Sequence, residues 1–388
     1  MVFIPPPDLL YFGGMNSFII EEARAADRAE LLDFLHTAFA TNDPKKPIPR
    51  FETLYPDLFD ATDDAMGRHR VIRNDAGRVG ACVGAYPMRV RVGACELDIF
   101  GIGQVSCDPA ARGGGRMTAL MNDACARMEK SGAALAWLGG RRDRYAHFGF
   151  DLAGSNLSSG MDKRSAGAPA PGWRVEQVDA AQLARFWVLR NRAATLEDVS
   201  PEKWTTRLLC GGKPDRIFLA SRGKDAEAVC VTQGEGEGGA LLEWAGETDG
   251  IHAVCAHLLA AQPWVNAVYA PSFVDPAAGM FWSHAAWSGV SLSNLRILNL
   301  AALLEGYAPF LENRVPAGAG ARLVVIENND AAQLGAAHGE TLALDRLAMV
   351  RLMFGPLPPS QVVKLPEALR WLDQVFPLPF LLPPSSHV

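Results

Sequence analysis

Three consecutive glycines stand where an apolar segment gives way to a helical pattern. Gly113, Gly114 and Gly115 follow Arg112 and precede Arg116. The first turn of a helix leaves backbone N–H groups unpaired and carries partial positive charge, and glycine lets an anion approach without a Cβ in the way. The two arginines add charge-assisted hydrogen bonds. The pattern indicates a phosphate-binding turn, with a glycine-rich surface turn as the alternative, and it is neither GxxxxGKS/T nor GxGxxG.

The residues before this turn indicate the strand that leads into it. Apolar and charged residues alternate over 88–92 and again from residue 95, on either side of Gly93-Ala94, which predicts a β-hairpin. Its second strand continues to residue 107. Gly101 and Gly103 interrupt that strand, and glycines inside a strand indicate a bulge or the close approach of another group.

The residues after the turn predict an amphipathic helix and then a buried strand. Apolar residues recur with helical spacing over 117–128, and residues 133–138 are almost wholly apolar. A charged loop and the aromatic segment 145–150 follow. Further toward the N-terminus, the apolar spacing over 21–39 predicts another helix.

Composition bounds the class of protein. The chain has 388 residues, 49% of them apolar, with a net charge of −6, so we expect two or three globular domains and no nucleic-acid partner. No apolar run is long enough to span a membrane. Seven scattered cysteines without a CxxC pair indicate a reducing, cytoplasmic setting and no metal site. They are Cys82, Cys95, Cys107, Cys125, Cys210, Cys230 and Cys255.

Composition also suggests where the chain divides. Residues 1–14 contain three prolines and predict a loose extension, so that Met15 is an alternative start to Met1. Residues 163–172 have the composition of a linker. A second α/β segment follows, the character of the sequence changes again near residue 291, and the tail from 357 is rich in proline.

Three motifs together resemble the GNAT acetyltransferase superfamily. They read Val105-Ser-Cys107-Asp-Pro109, Arg112-Gly-Gly-Gly115-Arg-Met117 and Tyr145-Ala-His-Phe-Gly-Phe150. The resemblance covers roughly Asn16 to Leu152. Met117 departs from the Gly or Ala usual in the family, which bears on how tightly the end of the turn is built.

The order of segments is similar to the Eis-like (enhanced intracellular survival) branch, in part because a third unit opens LRILNLAALLEGYAPFL. This resemblance implies an α/β fold of mixed sheets, with two tandem GNAT-like domains, the second degenerate, and a sterol-carrier-like C-terminal domain. It also implies a homo-oligomer, with a hexamer common in the branch. The expected divisions are 1–14, 15–163, 173–290 and 291–388.

The resemblance implies acetyl-CoA as co-substrate and assigns its contacts. Backbone groups of a splayed strand would hold the pantetheine, and the glycine turn would hold the pyrophosphate. Tyr145 would be the general acid, since a phenol is protonated at neutral pH; the alternative is an aromatic that only packs. The cofactor-binding positions are Val105, Ser106, Cys107, Arg112, Gly113, Gly114, Gly115, Arg116, Met117 and Thr118.

In the Eis-like branch the terminal carboxylate returns to the first domain and accepts the proton of the amine. Here that group would be the α-carboxylate of Val388, with His387 as a competing base and a frayed terminus as the alternative. The resemblance also places the acceptor against the first helices, whose aromatic residues are Phe34, Phe39, Phe51, Tyr55 and Phe59.

The sequence therefore predicts an acetyl-CoA-dependent N-acetyltransferase. Its acceptor would be a primary amine of a small molecule or a lysine-like group, and transfer would be direct within a ternary complex. The alternative is a catalytically weak CoA- or lipid-binding sensor built on the same fold.

Overall fold

The structure is a computed structural model that describes residues 18–40, 50–178, 183–209, 216–224, 226–233 and 239–388. Both segments assigned to the start of the chain, 1–14 and Met15, lie outside these ranges. The fold is mixed α/β, which confirms the predicted class. In the described residues no helix has the length and apolar character needed to cross a bilayer.

The described residues form sixteen strands and fifteen α-helices. The strands are β1 Glu21–Glu22, β2 His69–Arg73, β3 Val79–Val92, β4 Cys95–Cys107, β5 Leu135–Leu138, β6 Asp151–Met161, β7 Arg174–Gln177, β8 Thr195–Glu197, β9 Arg216–Arg222, β10 Ala226–Gln233, β11 Gly239–Gly246, β12 Val265–Tyr269, β13 Trp287–Ile297, β14 Gly320–Val325, β15 Asp330–Gly335 and β16 Glu340–Leu344. The helices are α1 Arg28–Ala38, α2 Phe51–Leu54, α3 Asp63–Met66, α4 Arg116–Lys130, α5 Arg142–Tyr145, α6 Lys163–Ala166, α7 Leu183–Arg190, α8 Pro201–Leu209, α9 Thr248–Leu259, α10 Ala278–Ser283, α11 Leu300–Gly306, α12 Ala308–Leu311, α13 Arg346–Phe354, α14 Pro359–Val362 and α15 Leu372–Val375.

Thirteen of the described strands form one large sheet. Its order is β1-β2-β3-β4-β5-β13-β6-β12-β11-β10-β9-β7, and β8 pairs separately with β3. Neighbours are antiparallel except at β4–β5 and at β11–β12, where a helix crosses between parallel strands. The predicted hairpin is confirmed as β3 and β4, joined at Gly93-Ala94.

Two segments differ from the sequence predictions. The predicted helix over 21–39 begins only at Arg28, because residues 21–22 pair with β2 as strand β1. The predicted linker over 163–172 begins as helix α6, whose N-cap Asp162 accepts a hydrogen bond from the Ser165 amide. Ala166 of that helix is 1% exposed, so this part of the segment is packed against the sheet and is not a free connection.

The boundary expected between residues 290 and 291 falls inside β13. That strand pairs with β6 over its length and with β5 through its last four residues. The division into domains therefore remains a prediction, but the chain on either side of this boundary belongs to one continuous strand.

A smaller three-stranded sheet, β15-β14-β16, packs with α11, α12 and α13 against one face of the large sheet. The shared core includes Val90, Leu97 and Ile99 of the hairpin, all 1% exposed or less. The removal of these apolar side chains from water stabilises the arrangement of the two sheets.

The proline-rich tail is ordered and runs into this interface. The Met353 carbonyl accepts a hydrogen bond from the Leu378 amide at 2.6 Å. The Tyr307 hydroxyl donates to the Pro379 carbonyl at 2.5 Å, and Asn156 Nδ2 donates to the Phe380 carbonyl at 2.7 Å. These bonds carry the end of the chain to the centre of the large sheet.

Candidate functional site

Strand β4 is bulged where it approaches the glycine turn. Its pairing with β3 shifts register between Cys82, opposite Ser106, and Gly84, opposite Gly103. Gln104 at the bulge has φ +51°. The ladder from β4 to β5 ends at Ile102, opposite Leu138. Residues 104–107 thus keep β3 as a neighbour and splay away from β5, which leaves main-chain groups available to a ligand.

The glycine turn places open space directly above the start of helix α4. Gly113 and Gly115 have φ of +79° and +83°, a conformation that side chains other than glycine rarely adopt. A Cβ added at Gly113 would meet nothing within 4 Å. The amides of the first turn of α4, which begins at Arg116, face outward without intrahelical partners.

The splayed strand and the turn share one cavity of about 830 Å³. Nine of the ten predicted cofactor-binding residues line it. Gly114 does not, and a Cβ there would lie 3.2 Å from the Arg116 guanidinium. The complete lining is Ala38, Phe39, Val105, Ser106, Cys107, Ala111, Arg112, Gly113, Gly115, Arg116, Met117, Thr118, Arg144 and His147.

Arg116 is held close beneath the turn. Its guanidinium lies 5.3 Å from the centre of the Phe18 ring, and Nη1 donates to the Ala111 carbonyl at 3.3 Å. Its buried Nε has no hydrogen-bond partner among the described residues. The side chain therefore contributes positive charge to the cavity with donor capacity to spare.

Cys107 ends the splayed strand and lines the same cavity. Burial raises the pKa of its thiol, opposed by Arg116 and Arg112. The thiol is therefore protonated at neutral pH and is a poor nucleophile, which favours a lining role.

Tyr145 ends the short helix α5, which also supplies Arg144 to the cavity wall. Its side chain is 8% exposed and packs with Phe148 and Phe150. A Cβ on Gly140 would lie 2.9 Å from Tyr145 Cε2, so the glycine that follows β5 makes room for the ring. Burial raises the pKa of the phenol, partly opposed by Arg144. The hydroxyl is therefore a proton donor throughout the neutral range.

Two arginines of helix α13 lie against the turn that carries Tyr145 and help to fix it. Asp151 is 1% exposed and binds Arg142 of α5 and, at 3.2 Å, Arg351 of α13. Gly149 has φ +77°, and a Cβ there would lie 2.3 Å from the Arg346 side chain. The glycine of the aromatic motif thus serves both the turn and the close approach of α13.

The two glycines inside β4 make room for the last residue of the chain. A Cβ on Gly101 would lie 2.7 Å from Val388 Cγ2, and one on Gly103 would lie 2.9 Å from the Val388 main-chain carbonyl carbon. The preceding His387 ring lies 4.6 Å from the Trp137 ring, centre to centre. The close approach that the sequence indicated at these glycines is therefore made by the tail.

His387 is crowded by its neighbours, although it stays partly exposed to solvent. Desolvation by those neighbours lowers the pKa of its imidazole to about 4, opposed by a hydrogen bond to the main chain of Leu382. The ring is thus neutral at pH 7, with one nitrogen already engaged.

A buried polar chain lies beside the tail. His69 Nδ1 is 3.2 Å from the Met66 carbonyl, which can only accept, so this nitrogen carries the proton. The Tyr86 hydroxyl lies 2.9 Å from His69 Nε2 and donates its proton to Gln104 Oε1. Burial lowers the pKa of His69 to about 4, so the chain is neutral and holds the bulged residue in place. The isolated polar residues gave no sequence signal for this arrangement.

The structure places the aromatic residues expected around the acceptor in different surroundings. Phe51 and Phe59 are 6% and 0% exposed and form the core beneath α1 and α2. Phe39 lines the cavity beside the glycine turn. Phe34 and Tyr55 are partly buried against the same core as Val388.

The comparisons with known proteins agree with this geometry. Residues 20–153 match the family model described as an acetyltransferase (GNAT) domain, which confirms the predicted GNAT domain in this part of the chain. No protein of curated function matches the chain by sequence. In the described ranges no group of three or more His, Cys, Asp or Glu side chains is placed to hold a metal ion.

Several solved structures share the fold over nearly the whole chain. A GCN5-related N-acetyltransferase from Anabaena variabilis is 16% identical with a TM-score of 0.68, covering 93% of this chain and 97% of that one. A probable N-acyltransferase from Enterococcus faecalis is 14% identical with a TM-score of 0.66 and the same coverage. Eis1 from Mycobacterium abscessus is 14% identical with a TM-score of 0.65, covering 96% of this chain and 100% of that one. At these identities the likeness concerns the fold.

Proposed function

We propose that this protein is an N-acyltransferase that moves an acetyl group from acetyl-CoA to an amine. The cavity shared by the splayed strand β4 and the glycine turn carries the proposal. Pantetheine amides would bond the main chain of residues 105–107, and the pyrophosphate would lie over Gly113 and the first amides of α4. Arg112 and Arg116 would neutralise its charge.

The chain's own residues supply the remaining chemistry of direct transfer. The amine attacks the thioester carbonyl, the C–S bond breaks, and the departing thiolate takes a proton from the Tyr145 hydroxyl. The amine must lose a proton to a base. In a chain that ends at Val388 we assign this role to its α-carboxylate, since the seat formed by Gly101 and Gly103 brings that residue onto the same strand that leads into the cavity.

His387 is the weaker candidate for the base. Desolvation by its neighbours holds the pKa of its imidazole near 4, and its ring lies tilted against Trp137 with a hydrogen bond to the main chain of Leu382. Such an imidazole has little affinity for a proton at neutral pH. We assign it instead to packing the tail against β5.

We also propose that the second α/β region is a degenerate copy of the first. Parallel strands β11 and β12 are joined by α9 as β4 and β5 are joined by α4. However, α9 begins with Glu247 as N-cap and Asp249 in its first turn. Carboxylates at a helix N-terminus repel phosphate, and no glycine turn separates β11 from α9, so this copy would hold no CoA.

The experiment is to supply acetyl-CoA and a panel of primary amines and to follow release of the free CoA thiol, with binding of CoA measured separately by calorimetry. We expect turnover with at least one amine. In Tyr145→Phe the ring and its packing remain, so kcat should fall about 10²-fold or more while the affinity for CoA stays the same. Binding without turnover on every amine would refute the transferase and favour a CoA sensor.

A further inference from the structure

We propose that the second α/β region holds the tail in place through a partly buried hydrogen bond from Ser385 to Glu243. The two residues act as positioning residues for the end of the chain, and the inference rests on the proposed function in so far as Val388 supplies the base. The second α/β region, which has no CoA-binding turn, would in this way contribute to the reaction in the first half of the sheet.

Glu243 is a rigid acceptor fixed within the second region. It lies on β11 with its side chain 2% exposed. Arg190 Nε donates to one carboxylate oxygen at 2.5 Å and Nη2 to the other at 3.1 Å. Trp204 Nε1 is 3.4 Å from the second oxygen, and the Trp204 ring packs over the Arg190 guanidinium. The carboxylate is therefore paired with Arg190 and held in one position by contacts that do not involve the tail.

The tail meets this carboxylate three residues before its end. The Ser385 hydroxyl donates to Glu243 Oε1, and Ser386 next to it is 1% exposed. Among the described residues this is the side-chain hydrogen bond that ties residues 381–388 to another segment. Hydrogen bonds to a charged group are stronger than neutral ones, so this contact can dominate the placement of the segment.

The geometry restricts what the last residues can do once Ser385 is held. Three residues span at most about 10 Å. Within that reach the His387 ring packs at a tilt against Trp137 of β5, and Val388 lies against Gly101 and Gly103 of β4. When Ser385 is freed, the terminal residue keeps the His387 ring contact, its steric seat against the two glycines and its apolar packing. None of these contacts fixes the direction of a carboxylate, whereas a short tether does.

Ser385→Ala tests the inference because it removes the hydroxyl and leaves the Glu243–Arg190 pair intact. Ser385→Thr is the conservative variant that retains a donor. Ser360→Ala, at an exposed position of α14, is the matched control for loss of a serine hydroxyl. The recombinant chains end at Val388, and the release of that residue by a carboxypeptidase is followed by intact mass. This readout needs no assumption about activity.

We expect Ser385→Ala to release Val388 about tenfold faster than the wild type or more, with Thr and the control near wild type. With acetyl-CoA and an accepted amine, kcat should fall at least tenfold in Ser385→Ala while CoA affinity and thermal unfolding change little. Equal protection of Val388 in wild type and Ser385→Ala would overturn the inference. Unchanged kcat despite faster release would overturn the positioning role. An inactive wild type would instead refute the proposed function, and the release rates would still decide whether Ser385 holds the tail.

Discussion

The contact between Gly101 and Val388 gives a prediction whose sign can be worked out in advance. Gly→Ala inside a strand ordinarily stabilises a protein by ~0.5–1 kcal/mol, because the unfolded chain loses freedom. At Gly101 the new Cβ would lie 2.7 Å from Val388 Cγ2 and 3.1 Å from Met88 Sδ. We therefore expect Gly101→Ala to destabilise the protein, whereas Gly80→Ala, whose Cβ would meet only ordinary contacts from 3.4 Å, should be neutral or stabilising.

The size of the effect follows from the two side chains involved. Overpacking of this kind costs ~1–3 kcal/mol. Val388→Ala removes two partly buried methyl groups, which costs up to ~0.8 kcal/mol for each. The same change removes the atoms that Gly101→Ala would strike, and the flexible Met88 side chain can move aside. In the Val388→Ala background, Gly101→Ala should therefore become neutral or stabilising, a coupling of about 1–3 kcal/mol.

Denaturant unfolding of the two single variants and the double variant measures this coupling. Gly103→Ala is the internal comparison. Its Cβ would lie 2.9 Å from the main-chain carbonyl carbon of Val388, which Val388→Ala does not remove. Val388→Ala should therefore do little to reduce the destabilisation caused by Gly103→Ala. Additive effects of Gly101→Ala and Val388→Ala, within about 0.5 kcal/mol, would refute the tail placement on which the reasoning depends.

Three further predictions concern the cavity, the tail and the Tyr145 turn. Gly113→Ala should weaken CoA binding at least tenfold, measured by calorimetry, because its Cβ enters the cavity. Gly77→Ala controls for backbone strain, since Gly77 has φ +74° and equally open surroundings. Equal affinities for CoA in the two variants would contradict the phosphate site. The folded-state pKa of His387 is lowered to about 4, so the unfolded chain binds more protons than the folded one below pH ~6.5. The free energy of unfolding should therefore be level above pH ~6.5 and fall modestly as the pH is lowered toward 4, because the residue is exposed to solvent. An unchanged slope in His387→Phe would contradict this contribution. Asp151→Asn should lower kcat and leave the affinity for CoA unchanged, because it weakens the ion pair that holds the helix carrying Tyr145. An unaltered kcat would exclude a role of Asp151 in positioning Tyr145.

The sequence predicted local features of the site well because the chemistry there is local. The glycine turn, its arginines and the following helix are contiguous, and nine of ten expected residues line one cavity. Gly101 and Gly103 indicated the approach of some other group. The group itself, Val388, is almost 290 positions away, and no periodicity or composition connects positions so distant.

The misses come from tertiary pairing that overrides local preference. Residues 21–22 open the segment 21–39 that the sequence predicts to be helical, yet their backbone pairs with β2 as a strand. The Ser385–Glu243 bond joins a serine and a glutamate of ordinary appearance. Such a contact is visible only when the fold has brought β11 and the tail together.

Strand β13 has a consequence for the order in which the molecule is made. It lies between β5 and β6 in the sheet, but about 125 residues, from 162 to 286, separate it from the end of β6. At a synthesis rate of about 5–20 residues per second, the ribosome needs roughly 6–25 s to cross that interval. During this time β5 and β6 each have an unpaired edge and apolar faces. The first half of the chain is therefore accessible to chaperones and to other nascent chains until β13 has been translated.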